Sequence, residues 1–411
     1  MRPIPHKLNK DDWGFFQVGE FKTYSKLEAI EISGKTGADI HWNYNDHVFD
    51  SFDWTQEPPG SLDFWYGARA QQLRDTYDYI VLLYSGGADS HNMLTAFVKN
   101  NIFVDEIAQF FALDGSSNDK MSEVNKETFV TSAPNTQRLI ETNPTYRHTI
   151  HRMIDGGKFE TTILLKQNPW DYWYTQANTF FCPWGQIMAR LREIEPAYRA
   201  LADQGKKVCF LWAAEKLSLD LDQNKNLAIS FGECGMSAMV TPERQMKNDP
   251  SHNDEAFYWT PDMPELACKQ AHVVKRYIAN FSRTSVDNIN VFTQDGANQL
   301  TDKKILSFPF VSNNIKYHMT TRGLHSLIYP YWDHNTVVTP KPPSPFFGSK
   351  DVWLRDGCAP DTGYTTWFPK GVVWLRDTVR KNRPDLWWEL TATQNSIYNG
   401  GMTMFSKMYK V

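Results

Sequence analysis

The stretch Tyr79–Ile107, YIVLLYSGGADSHNMLTAFVKNNIFVDEI, does most to limit what this chain can fold into. Tyr79–Tyr84 is a short, nearly all-apolar run, as expected of a parallel strand buried on both faces. Ser85-Gly86-Gly87-Ala88-Asp89-Ser90 follows as a tight, glycine-paired loop. From Ser90 to Lys99 the pairs Met93/Phe97 and Leu94/Val98 stand at helical spacing. Asn100-Asn101 breaks that pattern, and a second apolar run covers Ile102–Leu113. The order strand, loop, helix, strand predicts an α/β fold with a right-handed crossover between parallel strands.

The chemistry of the loop points to phosphate. Two glycines remove the side chains that would keep an anion from the backbone N–H groups. Ser85 and Ser90 add hydroxyl donors, and the helix that follows turns its N-terminus toward the loop. Asp89 is a poor neighbour for an anion unless it holds a magnesium ion or caps the helix, and Mg²⁺ between carboxylate and phosphate would reconcile the charges. Neither GxxxxGK[ST] nor GxGxxG is present. The plainer alternative is a glycine-rich strand–helix turn with no ligand.

Ser85-Gly86-Gly87-Ala88-Asp89-Ser90 resembles the SGGxDS signature of the PP-loop, or N-type ATP pyrophosphatase, superfamily. That resemblance implies a HUP-like parallel sheet with helices on both faces. It also implies cleavage of ATP between the α and β phosphates, with Ser85, Gly86, Gly87, Ala88 and Ser90 around the pyrophosphate and Asp89 on Mg²⁺. The wider layout looks like asparagine-synthase-like, adenine nucleotide alpha-hydrolase-like proteins of tailed bacteriophages, through Arg69–Arg74, SGGADS, Tyr258–His272 and Ile328–Asp333. A phage origin would place the protein in the host cytoplasm.

Length and composition set the frame. A chain of 411 residues suggests two or three joined units. We divide it into an N-terminal extension (1–76), an ATP-binding α/β domain (77–240) and a mostly helical C-terminal substrate or interaction region (241–411). The net charge of −4 carries no footprint for duplex DNA. Aromatic residues make up 14% of the chain, which we read as core rather than interface. The five cysteines, Cys182, Cys209, Cys234, Cys268 and Cys358, form no CxxC pair and fit reduced cytosolic thiols. No apolar stretch of about 18 residues offers a membrane span.

Along the chain, helices are expected around Ser25–Ser33, over 61–76 with Ser61 as N-cap, and over Pro264–Asn280 with Asp262 as cap candidate. Lys269, His272, Lys275 and Arg276 should form a solvated basic edge of that last helix. Asp114, after the second strand, would lie near the loop and touch ribose or base, or be a turn residue. Val208–Trp212 reads as a later strand, with Cys209 a small core residue. Lys216 just beyond would neutralise a β or γ phosphate, or simply be exposed. Thr161–Leu165, Gln176–Ile194, Val372–Val379 and Trp387–Gln394 carry weaker signals, and Arg322 and Lys341 sit in irregular, proline-rich chain.

These features favour an AMP-forming ligase or amidotransferase-like enzyme. A substrate oxygen would be adenylated, pyrophosphate would leave, and an amine or ammonia would displace AMP. Catalysis would rest on Asp89 and Lys216 as charge-stabilising groups. No cysteine precedes the loop, so nothing resembles a complete glutamine-dependent synthetase, and ammonia would come free or from a partner protein. The alternatives are a PP-loop sulfurtransferase or PAPS-reductase-like enzyme, which the missing CxxC disfavours, and a non-catalytic nucleotide-binding or structural module. The acceptor substrate and any homo-oligomer are left open.

Overall fold

Apart from the Tyr79 hydroxyl, the run Tyr79–Leu83 has no polar side chain to keep at a surface, and the chain buries it in the middle of a sheet. The computed structural model describes residues 13–111, 127–146, 150–155, 195–213, 218–221, 226–232, 252–285, 328–331, 377–386 and 404–411, with Lys120 and Asn125 besides. The elements begin with β1 (Phe15–Val18), β2 (Phe21–Thr23), α1 (Lys26–Thr36), β3 (Ile40–Asn43), α2 (Asp46–Phe49) and α3 (Leu62–Thr76). Then come β4 (Tyr79–Leu83), α4 (Ala88–Lys99), β5 (Glu106–Phe111), a π-helix (Glu127–Ser132), α5 (Ala133–Glu141) and β6 (Ile150–Asp155). The last are α6 (Pro196–Asp203), β7 (Val208–Trp212), β8 (Ser218–Leu221), β9 (Leu227–Ser230), β10 (His252–Ala256), α7 (Pro264–Ser285) and β11 (Tyr409–Lys410).

The central sheet is parallel throughout, in the order β10-β7-β4-β5-β6. Taken in chain order its strands run 3-2-1-4-5, so the direction of winding reverses between β4 and β7. Ile80, Val81 and Leu82 in β4, Ile107 and Ala108 in β5, and Cys209 and Leu211 in β7 have no exposed surface. Each large aliphatic side chain among them is worth roughly 1.5–3 kcal/mol on burial. Helices flank the sheet, and α3 packs on both α4 and α7. This is an α/β fold with a parallel sheet, as the strand–loop–helix pattern predicts.

Local signals explain the helices. Ser25 caps α1 by accepting from the Glu28 N–H, and Ser61 caps α3 by accepting from the Phe64 N–H. The helix expected over 264–280 runs on to Ser285.

The stretch before the loop is more than a helical lead-in. β1, β2 and β3 form a small antiparallel sheet in the order β2-β1-β3. The division at residue 240 is crossed twice by strand pairing. β10 pairs with β7 and completes the central sheet, and β11 pairs antiparallel with β9. Residues 241–411 therefore contribute strands as well as helices.

Among the described residues, most of the aromatic side chains pack as core, although Phe21 and Phe64 are exposed. Phe49, Trp54, Phe231, Trp259 and Tyr409 meet at ring-centroid distances of 4.7–6.2 Å, joining the extension, β9 and the tail.

The basic edge of α7 is solvated only in part: Lys275 and Arg276 are exposed, whereas Lys269 and His272 are buried. Lys269 is buried, donating to Glu57 Oε1 at 2.5 Å and to the Pro58 carbonyl at 3.0 Å. His272 is buried against the Trp54 carbonyl at 3.0 Å, and Arg276 pairs with the other Glu57 oxygen. These contacts hold the 54–58 turn onto the helix, and Glu57 supplies the counter-charge that makes the burial of Lys269 tolerable.

Candidate functional site

The loop begins where β4 leaves the sheet. The Tyr84 N–H still donates to the Ala108 carbonyl of β5 at 3.0 Å, and then the chain turns away. Gly86 has φ +79°, a conformation that costs an L side chain about 1–2 kcal/mol. A Cβ there would also stand 2.8 Å from Ser132 Cβ and 2.9 Å from Ser132 Cα. Two independent constraints thus fix glycine at this position. Gly87 is extended and is the N-cap of α4, with no side-chain cap hydrogen bond. The first turn of a helix has N–H groups with no intrahelical partner, and here no side chain at the cap takes them.

The two serines brace the loop. Ser85 Oγ accepts from the Gly87 N–H at 3.4 Å and lies 3.2 Å from Ser90 Oγ, which donates to the Gly87 carbonyl at 3.2 Å. Ser85 is exposed, Ser90 buried and Asp89 half-buried. The loop thus combines a positive-φ glycine and an uncapped helix start, both buried, with the exposed Ser85 hydroxyl and the half-buried Asp89 carboxylate. Free N–H groups at a helix start are the kind of donor that an anion takes. Among the described residues no group of three His, Cys, Asp or Glu is placed to cage a metal ion. A single carboxylate beside an anion site suits Mg²⁺, which takes one or two carboxylates and completes its shell with phosphate and water.

Position in the sheet strengthens the case. In doubly wound sheets, ligands occupy the crevice at the carboxyl ends of the strands where the order reverses. That crevice lies between β4 and β7, and SGGADS leaves the carboxyl end of β4.

The fold brings Ser85, Gly86, Gly87, Ala88, Asp89 and Ser90 together in this one loop. Lys216, beyond the end of β7, and Asp114, beyond the end of β5, lie outside the described residues. So do Glu215, Thr161–Leu165, Gln176–Ile194, Arg322, Lys341 and Trp387–Gln394. Cys209 and Cys268 are buried free thiols. Burial pushes both up, Cys268 to about 12, so neither offers a thiolate for sulfur chemistry at neutral pH.

Sequence reasoning missed the supports of the loop. The Tyr84 hydroxyl lies 2.9 Å from His91 Nδ1, and burial holds the His91 pKa down to about 4, leaving the imidazole neutral. On the other side, the Tyr258 hydroxyl donates to the Asp89 carbonyl at 2.6 Å. The π-helix places Ser132 against Gly86, and π-turns recur at functional sites. Pro134, in the first turn of α5, is the one local signal that the helix geometry changes there.

Compared with protein-family models, curated proteins and solved structures, the chain has no match. No helix among the described residues is long and apolar enough to cross a membrane.

Proposed function

We propose that this protein is an ATP-dependent, AMP-forming ligase of the PP-loop type, adenylating a substrate oxygen and passing the activated group to an amine or ammonia. One observation carries the reading: SGGADS, with its uncapped helix start, leaves the strand at which a doubly wound parallel sheet reverses its order.

The roles follow from the chemistry of each group. Backbone N–H groups at Gly87 and Ala88, with the Ser85 hydroxyl, bind the β and γ phosphates. Asp89 would hold Mg²⁺, which would supply charge neutralisation on those phosphates. Lys216 adds a point charge on the phosphates, and Asp114 bonds the nucleoside. The substrate oxygen attacks the α phosphorus, and the bond to pyrophosphate breaks. The amine nitrogen then attacks the activated carbon, AMP leaves with the oxygen, and the nitrogen gives up its proton. The protein's share is positioning and charge stabilisation rather than a side-chain nucleophile.

The test is to incubate the protein with Mg²⁺, α-labelled ATP and a cell metabolite extract, and to resolve the products. AMP and pyrophosphate, lost in both Ser85→Ala and Asp89→Ala, are the expected result. ADP and phosphate would overturn the assignment.

A further inference from the structure

Asn92 is a fully buried amide in α4. A buried amide is costly unless its hydrogen bonds are made, and leucine would fill similar space without that cost. Asn92 makes its bonds in two directions. Its Nδ2 donates to the Tyr258 hydroxyl at 3.2 Å, and its Oδ1 accepts from the Tyr331 N–H at 3.4 Å. Tyr258 passes the tie on, because its single proton goes to the Asp89 carbonyl.

That carbonyl belongs to the residue of SGGADS proposed above to hold Mg²⁺. Holding it fixes the peptide plane after Asp89, and with it the direction of the first helical turn. Both partners are themselves clamped. The Tyr258 ring lies between Tyr66 at 5.8 Å and Tyr329 at 5.3 Å. The Ile328 carbonyl accepts from the Tyr66 hydroxyl, and Lys99 stands 4.2 Å over the Tyr331 ring. Residues far away in sequence thus converge on a single helical turn.

We propose that Tyr258 and Asn92 are positioning residues for the nucleotide loop, setting the Asp89 peptide through the Tyr258–Asp89 hydrogen bond. The inference rests on the reading that this loop binds ATP. The tie holds the loop in one geometry before the nucleotide arrives, which is where positioning contributes to rate.

Tyr258→Phe is the informative variant, since it deletes one hydroxyl and keeps the ring contacts. Its melting temperature should stay within a few degrees of wild type. Its kcat/KM for ATP should fall at least tenfold, mostly in kcat, and amide exchange should quicken about tenfold at Ser90–Met93 but not at Leu94–Val98. Asn92→Leu in the same background should add little, because both variants cut one tie. Unchanged kinetics in Tyr258→Phe, with or without faster exchange, would overturn the inference. A wild-type protein that binds ATP without releasing pyrophosphate would sink the ligase reading alone. The positioning role is then judged on ATP affinity and exchange: a tenfold weaker affinity with quickened exchange upholds it, and anything less refutes it. A wild type that binds no nucleotide sinks both.

Discussion

Replacing Gly86 with alanine separates the two reasons for a glycine in the loop. The first is conformational: at φ +79° an alanine is strained by about 1–2 kcal/mol. The second is steric. The new methyl would meet Ser132 at 2.8 Å from Cβ, 2.9 Å from Cα and 3.2 Å from the backbone nitrogen. Two of those atoms are backbone, so no rotamer change relieves the overlap, which costs about 1–3 kcal/mol. The expected loss is about 2–5 kcal/mol. Gly37 is the internal control. It has φ +73° at the end of α1, but a Cβ there meets nothing within 4 Å. Gly37→Ala should therefore lose only the conformational part, about 1–2 kcal/mol. Urea unfolding of both variants gives the difference directly, and it should be at least about 1 kcal/mol. Adding Ser132→Gly to Gly86→Ala should recover only part of the loss, since the overlap with the backbone of residue 132 persists. Equal losses at the two glycines would refute the close approach of the π-helix to the loop.

Three further outcomes are expected. The pKa of His91 lies below its ordinary value, so between 6.5 and about 4 the unfolded chain binds the extra proton and stability falls as pH drops through that window. At about 1.4 kcal/mol per pH unit the ceiling is about 3 kcal/mol, and the partly exposed ring lies below it; His91→Gln should flatten this part of the stability–pH curve. Asp46 has the opposite sense: burial opposes its charge, but the His41 hydrogen bond and the Lys407 ammonium outweigh that and hold its carboxyl below the usual range. Its stabilisation is present at neutral pH and lost as pH falls through the range below its ordinary value of 3.8, so the gap between wild type and Asp46→Asn should narrow as acid is added in urea titrations. Glu106, fully buried, takes hydrogen bonds from Tyr79 at 2.9 Å, Tyr198 at 2.5 Å and Arg152 Nε at 2.5 Å. Glu106→Gln should cost about 3 kcal/mol in denaturation while leaving ATP titrations unchanged, because the cluster sits at the start of β5, away from the loop.

Local patterns in the sequence reached as far as local physics does. The strand–loop–helix unit, the serine caps at Ser25 and Ser61, and the strand Val208–Trp212 were all legible, because each is set by neighbours within a few residues. β10 was not. Asn248–Asn253 reads as a polar linker, yet β10 begins within it at His252 and completes the sheet. Each central polar side chain has a distant partner. Asn253 donates to the Val208 carbonyl at 3.1 Å, and Asp254 accepts from the Trp212 indole at 2.9 Å. Glu255 accepts from the buried Arg69 at 2.8 Å and from the Tyr77 hydroxyl. Hydropathy scores such a strand as surface because it cannot see partners supplied by α3 and β7.

The same limit divides the candidate site. The loop was legible because its glycines and serines answer to a turn and a helix start that they form themselves. Tyr258, Asn92 and Ser132 were not, because their roles depend on contacts across 40 to 240 residues of chain. The sequence therefore exposes the groups that would meet a nucleotide, while the groups that hold them in place become visible only when the sheet is assembled. The Tyr258 hydroxyl makes the point. In the sequence it belongs to an aromatic run before a helix. In the fold, its proton goes to the Asp89 carbonyl, in the first turn of α4 behind the SGGADS loop.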